Sequence, residues 1–169
     1  MKGKSLALRI CTMVFSALTF VVFAFDHILF ALTTGNKSTT TGITWSEWSD
    51  FLAQNTSDEG TWFQIARIMV IITIVLACIA LVCALLQIFL NSKVLNLIAK
   101  IVGIVLVVVS ILVLVFTILG TIATASSNTI LGTTISSIYF PNIGVGYITV
   151  MGIVAGALTI SCGKKKKSK

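Results

Sequence analysis

The chain has 169 residues, 57% of them hydrophobic and only 10% charged, with a mean hydropathy of +1.07. A water-soluble domain of this length cannot cover so much apolar surface, so the solvent is a lipid bilayer and an ordinary soluble domain is excluded. The net charge of +7 would suit nucleic acid, but the lysines flank apolar runs without interleaved aromatics, and no nucleic-acid partner is expected.

About 20 consecutive apolar residues cross a hydrocarbon core of roughly 30 Å. Four segments qualify, at 6–32, 63–90, 94–122 and 143–163, separated by outer loops 33–62 and 123–142 and followed by a basic tail at 164–169. The fold class expected is an all-α membrane protein, a four-transmembrane-helix bundle with a small extracellular β-sheet formed by the outer loops.

Lys2, Lys4 and Arg9 stand at the start of the first span, as in a signal peptide. The apolar run is longer than an h-region and no small-residue cleavage site follows it, so it reads as a retained span. Near its outer end lie Asp26 and His27, and Arg67 lies a similar distance from the outer end of the second span. The two spans run antiparallel, which places Asp26 and Arg67 at comparable depth and predicts a structural ion pair there, with Gln64 one turn before Arg67. The alternative is a proton or cation relay through Asp26 and His27.

The first outer loop is rich in Thr, Ser and Gly and carries two glycosylation sequons, at Asn36 and Asn55. Four of the five acids (Glu47, Asp50, Asp58, Glu59) fall in it, opposed only by Lys37. The segment 42–52, GITWSEWSDFL, alternates in polarity and predicts a short strand or hairpin. Trp45, Trp48 and Trp62 are candidate anchors at headgroup level, where indole rings are favoured.

Between spans two and three a short link holds Lys93 and Lys100 and leaves no room for a cytoplasmic domain. The polar groups of the third and fourth spans, Ser110, Thr117, Thr121, Thr149 and Thr159, can each bond back to their own helix. The β-branched stretch TILGTTISSIY in the second outer loop predicts one further strand. In the fourth span Gly152-Ile-Val-Ala-Gly156 permits close helix approach, either within the same bundle or across a dimer.

Cys11, Cys78, Cys83 and Cys162 all lie in spans and the outer loops have none, so no extracellular disulfide forms within the chain. Cys11 and Cys162, near the cytoplasmic helix ends, are palmitoylation candidates or small apolar packing residues. The tail residues Lys166 and Lys167 fit a dilysine retrieval signal, and the run also attracts anionic lipid.

By the positive-inside rule the basic groups put both termini in the cytoplasm of a multi-pass protein of the plasma membrane or endoplasmic reticulum. The sequence offers no metal-ligand cluster, nucleophile–base pair or phosphate loop. No catalytic residue, metal or cofactor is expected, and the chain is not read as an enzyme.

Trp45-Ser-Glu-Trp48, followed by Gln64-Ile-Ala-Arg67 at the start of the second span, resembles the claudin-like tetraspan superfamily of claudins and peripheral myelin protein relatives. A third span opening on Lys100 and the entry Tyr139-Phe-Pro-Asn142 to a small-residue fourth span fit the same resemblance. It implies four spans, cytoplasmic termini and an outer sheet on a left-handed bundle. The chain resembles a divergent member: the first-loop cysteine pair and the Gly-Leu-Trp element are absent, and so is the Tyr-Val ending that binds junctional PDZ scaffolds. No PDZ scaffold is therefore expected.

The function so implied is non-enzymatic: organising membrane or mediating surface contact by lateral self-association, with lipid, itself or other membrane proteins as partners. The alternative is a subunit of an oligomeric ion channel or transporter, with Glu47, Asp50 or Asp26 setting cation preference.

Overall fold

The computed structural model describes residues 3–54, 60–90, 92–130 and 133–162. Helix α1 (Gly3–Leu18) runs on as a 3₁₀ segment, Thr19–Ala24, before strands β1 (Ile28–Thr34) and β2 (Lys37–Ile43). Helices α2 (Glu47–Gln54), α3 (Thr61–Phe89) and α4 (Lys93–Thr124) follow, then β3 (Ser126–Ile130), β4 (Thr133–Pro141) and α5 (Ile143–Cys162).

Four helical stretches are long and apolar enough to cross a membrane: Leu6–Ala24, Thr61–Phe89, Lys93–Thr124 and Ile143–Cys162. The chain is thus a four-span integral membrane protein with a small antiparallel sheet. The first stretch has only 19 residues. A 3₁₀ helix rises about 2.0 Å per residue against 1.5 Å for an α-helix, so its closing segment brings the length to about 32 Å, enough for the hydrocarbon core.

The first span is shorter than the apolar run at 6–32 suggests. Residues 28–32 belong to β1, one of the two inner strands of a sheet ordered β2-β1-β4-β3. A short apolar run is equally suited to a buried strand and to a helix, and hydropathy cannot separate them. Pairing decides: β1 is bonded along both edges, Ile28–Thr34 against Lys37–Ile43 on one side and against Ile135–Pro141 on the other. The hairpin between β1 and β2 turns through Gly35, whose φ of 57° is left-handed, and Asn36.

Two further expectations change. The segment 47–52 is helical, preceded by a turn at Trp45-Ser46, because Thr44 and Glu47 form the N-terminal cap of α2. The Thr44 N–H and hydroxyl donate to Glu47 Oε2 at 2.9 and 2.8 Å, and the Trp48 N–H donates to the Thr44 carbonyl at 3.0 Å. Only the Gly42-Ile43 start of GITWSEWSDFL is strand. The second loop gives two strands rather than one, β3 pairing with β4 from Ser126↔Ser137 to Ile130↔Thr133.

The chain divides into two compact units, one of residues 1–21, 69–111 and 148–169, the other of residues 22–68 and 112–147. In the first, Ala80, Val102, Leu106 and Ala155 form the core, flanked by Phe15 and Leu76. Here α4 and α5 approach closely. A Cβ on Gly156 would lie 2.6 Å from Val107 Cγ2 and 2.7 Å from the Gly103 carbonyl oxygen, and one on Gly152 would collide with the Ser110 hydroxyl. The glycine pair therefore packs within the bundle, the first of the two readings its spacing allows.

Ser110, Thr117, Thr121 and Thr159 donate to carbonyls four residues back, at 2.6, 2.7, 3.1 and 2.6 Å. The Arg9 guanidinium donates to the carbonyl of Gln87, one of the α3 C-terminal carbonyls that lack an intrahelical partner. Arg9 thus holds a helix end in addition to supplying topogenic charge.

Candidate functional site

The second unit gathers most of the chemistry. Three hydrogen bonds fix the entry to β1: His27 N–H to Ile43 O at 2.9 Å, Asn142 N–H to His27 O at 3.0 Å, and Gly144 N–H to Asp26 O at 2.8 Å. Beside them Trp45, Trp48 and His27 form a mutually packed triad with centroids 5.4–5.5 Å apart, and Phe23 meets Trp45 edge-on at 5.3 Å. Trp48 and His27 are fully buried.

The expected Asp26–Arg67 ion pair does not form. Because the span ends at Ala24, Asp26 lies in the lead-in to β1, outside the membrane-spanning helix. Its carboxylate lies against Gly42 of β2, where any side chain would collide with it. Arg67 instead places its guanidinium carbon 5.2 Å from the centroid of the Trp45 ring, and its Nε has no hydrogen-bond partner. A charge held near the end of a span is stabilised by the π-face of an indole, a contact that gains strength as water is excluded.

On this geometry the double swap Asp26→Arg with Arg67→Asp gives no rescue over the single variants in thermal unfolding. Arg67→Gln lowers stability by about 0.5–2 kcal/mol, and the loss disappears in a Trp45→Leu background. A rescued swap would restore the ion pair.

Neither His27 nitrogen has a well-aligned partner. Burial lowers its pKa from 6.5 to about 4, partly opposed by the Phe25 carbonyl and the Asp26 charge. The unfolded chain takes up a proton on this side chain near pH 6.5 and the folded unit only near pH 4. His27 therefore contributes no penalty above pH 6.5, and stability falls as pH drops through that window, by at most about 1.4 kcal/mol per pH unit. The unfolding midpoint of the wild-type protein should decline more steeply from pH 6.5 to 4 than that of His27→Leu; equal slopes would contradict the assignment.

The tryptophans divide by burial. Trp48, fully buried, is a core residue and not a headgroup anchor, because the packed triad takes its ring out of both lipid and water. Trp45 is half-buried between Phe23, His27, Trp48 and Arg67. Trp62 keeps 37% of its surface exposed and stacks on Phe116 at 6.1 Å, as suits an interfacial anchor.

A second aromatic group gathers around Tyr139 of β4. Tyr139 stacks on Phe30 at 4.8 Å, meets Phe51 at 4.8 Å, and reaches Phe63 at 6.3 Å. An open pocket of about 400 Å³ is lined by these strands and α2, with Glu47 and Asp50 on its rim. Hydrogen bonds from Thr44 hold the Glu47 carboxyl below its usual pKa, so it is charged at neutral pH, and burial pushes the Tyr139 phenol up.

The remaining candidates are placed as follows. Asn36 is exposed at the hairpin tip. Cys11 is exposed on α1, whereas the half-buried Cys162 lies with its Sγ 3.3 Å from Thr12 Oγ1. Asn55, Lys166 and Lys167 lie outside the described residues. Among the described residues no three His, Cys, Asp or Glu side chains gather as a metal site.

Scans against protein-family models and curated proteins found no match. What the fold defines is a class: a four-span membrane protein whose two inter-helix loops form one sheet.

Proposed function

We propose that this chain is a divergent claudin-like protein, non-enzymatic, that organises membrane or mediates surface contact through lateral self-association. The observation that carries the reading is the joining of both loops into a single sheet through β1 and β4, with Trp45 and Trp48 packed against His27 beside the start of β1. A rigid surface built from both loops is what a contact protein needs. Exposed apolar faces support the lateral part: Ile71, Val75, Ile79, Val82 and Leu86 recur at helical spacing along α3, and Ile101, Ile104, Val108 and Ile111 along α4. Such faces are covered by lipid or by a neighbouring copy at little energetic difference, so association there is governed by packing.

In this reading the sheet is extracellular or lumenal and both termini are cytoplasmic. An Asn36→Gln variant expressed in a eukaryotic membrane tests the orientation, since loss of a glycosidase-sensitive mobility shift places the hairpin outside. Self-association is tested by crosslinking and native mass spectrometry in lipid nanodiscs. Multimers without conductance support the scaffold; a cation conductance abolished by Asp50→Asn would replace it with the channel subunit. Monomers at all lipid-to-protein ratios would overturn both.

A further inference from the structure

The pocket on the second unit has a composition that neither its fold nor the scaffold reading requires. Three rings, Phe30, Tyr139 and Phe51, meet there with Tyr139 common to both contacts. Two carboxylates, Glu47 and Asp50, stand three residues apart and so share one face of α2. Both acids are exposed, and among the described residues no basic side chain lines the pocket. Glu47 uses Oε2 to cap the helix, which leaves Oε1 available.

Aromatic faces beside carboxylates attract a cation with an apolar stem: the rings interact with its partly desolvated charge and the acids with its N–H groups. A hard metal ion is a poor match, because it demands six or more oxygen ligands and gains nothing from three aromatic rings. The volume, about 400 Å³, lies at the low end for ligand pockets and accepts a group of the size of a basic side chain. Because the pocket is open rather than enclosing, it suits a side chain projecting from a larger partner better than a free small molecule.

We propose that the pocket formed by Phe30, Tyr139, Phe51, Glu47 and Asp50 binds a lysine or arginine side chain presented by a partner polypeptide. The site goes beyond the scaffold reading and stands whether or not the chain self-associates.

The test is a calorimetric or NMR titration of the full-length protein in nanodiscs with N-acetylated, C-amidated Gly-Arg-Gly, with Gly-citrulline-Gly of the same shape, and with free arginine. The arginine peptide is expected to bind, weakened about threefold to fivefold by Asp50→Asn and abolished by Asp50→Lys. Circular dichroism should remain unchanged and the unfolding midpoint should fall only slightly, because Asp50 is exposed and its charge acts on the helix dipole in the first turn of α2. Phe30→Leu serves as a second variant that should weaken binding without altering charge. Equal binding of the citrulline peptide, or no response to Asp50→Lys in a folded protein, would overturn the site. Free arginine binding as tightly as the peptide would overturn the polypeptide as its partner.

Discussion

Trp48→Ala is expected to destabilise the sheet-bearing unit by about 3–5 kcal/mol, the range for truncating a buried large aromatic side chain. Trp48 is fully buried, and it supports His27 and Trp45 at 5.5 Å each. His27 carries the backbone bonds to Ile43 and Asn142 that start β1, so a cavity at Trp48 loosens the strand entry as well as the ring cluster. Thermal unfolding in nanodiscs should show the drop, with limited proteolysis cutting first within residues 25–54. Trp48→Phe should be far milder, since the indole N–H makes no hydrogen bond that would be lost. If Trp48→Ala unfolds within 1 kcal/mol of the wild type, the triad is not a core.

Gly156→Leu should prevent the helical unit from packing, and Gly156→Ala should already cost about 1–3 kcal/mol. The atoms a Cβ would meet are the Gly103 carbonyl and a β-branched side chain, Val107, neither of which can rotate away as the end of a long side chain would. In lipid no hydrophobic drive pulls helices together, so losing this close contact is not offset elsewhere. Detergent-solubilised Gly156→Leu is expected to elute as aggregate, with a lowered midpoint for the alanine variant. If the alanine variant keeps its midpoint but loses multimers in crosslinking, the glycines serve an interface between copies instead.

Much of the fold was legible because membrane insertion depends on summed hydropathy, a property of the sequence itself. The spans at 63–90, 94–122 and 143–163 match helices Thr61–Phe89, Lys93–Thr124 and Ile143–Cys162 to within a few residues. The first span failed where apolar composition has two uses: Ile28-Leu-Phe-Ala-Leu32 is greasy enough for lipid, yet its backbone is shared between two neighbouring strands. The α2 helix had a readable signal that alternation obscured, the Thr44-x-x-Glu47 capping box. Arg9 gave no signal of its bond, because Gln87 is 78 residues away and any exposed α3 carbonyl would serve.

For the site the division runs the same way. Residue types marked Asp26, Arg67, Trp45 and Trp48 as unusual, since charges in greasy runs and clustered indoles are rare. Their partners were not inferable. The pairing of Asp26 with Arg67 assumed a continuous helix, and one break at Ala24 moved Asp26 against Gly42 and left Arg67 to the Trp45 ring. The acidic pocket was likewise hidden, because Phe30 and Tyr139 are 109 residues apart and become neighbours only through the β1–β4 register.

By itself the sequence determined the solvent and the number of crossings, because hydropathy is summed within each contiguous segment. Tertiary structure decided which apolar run became a strand, which charge met which ring, and where two carboxylates and three aromatics came together. Strand pairing and side-chain contact depend on distances in space, and those are set only once the sheet has formed.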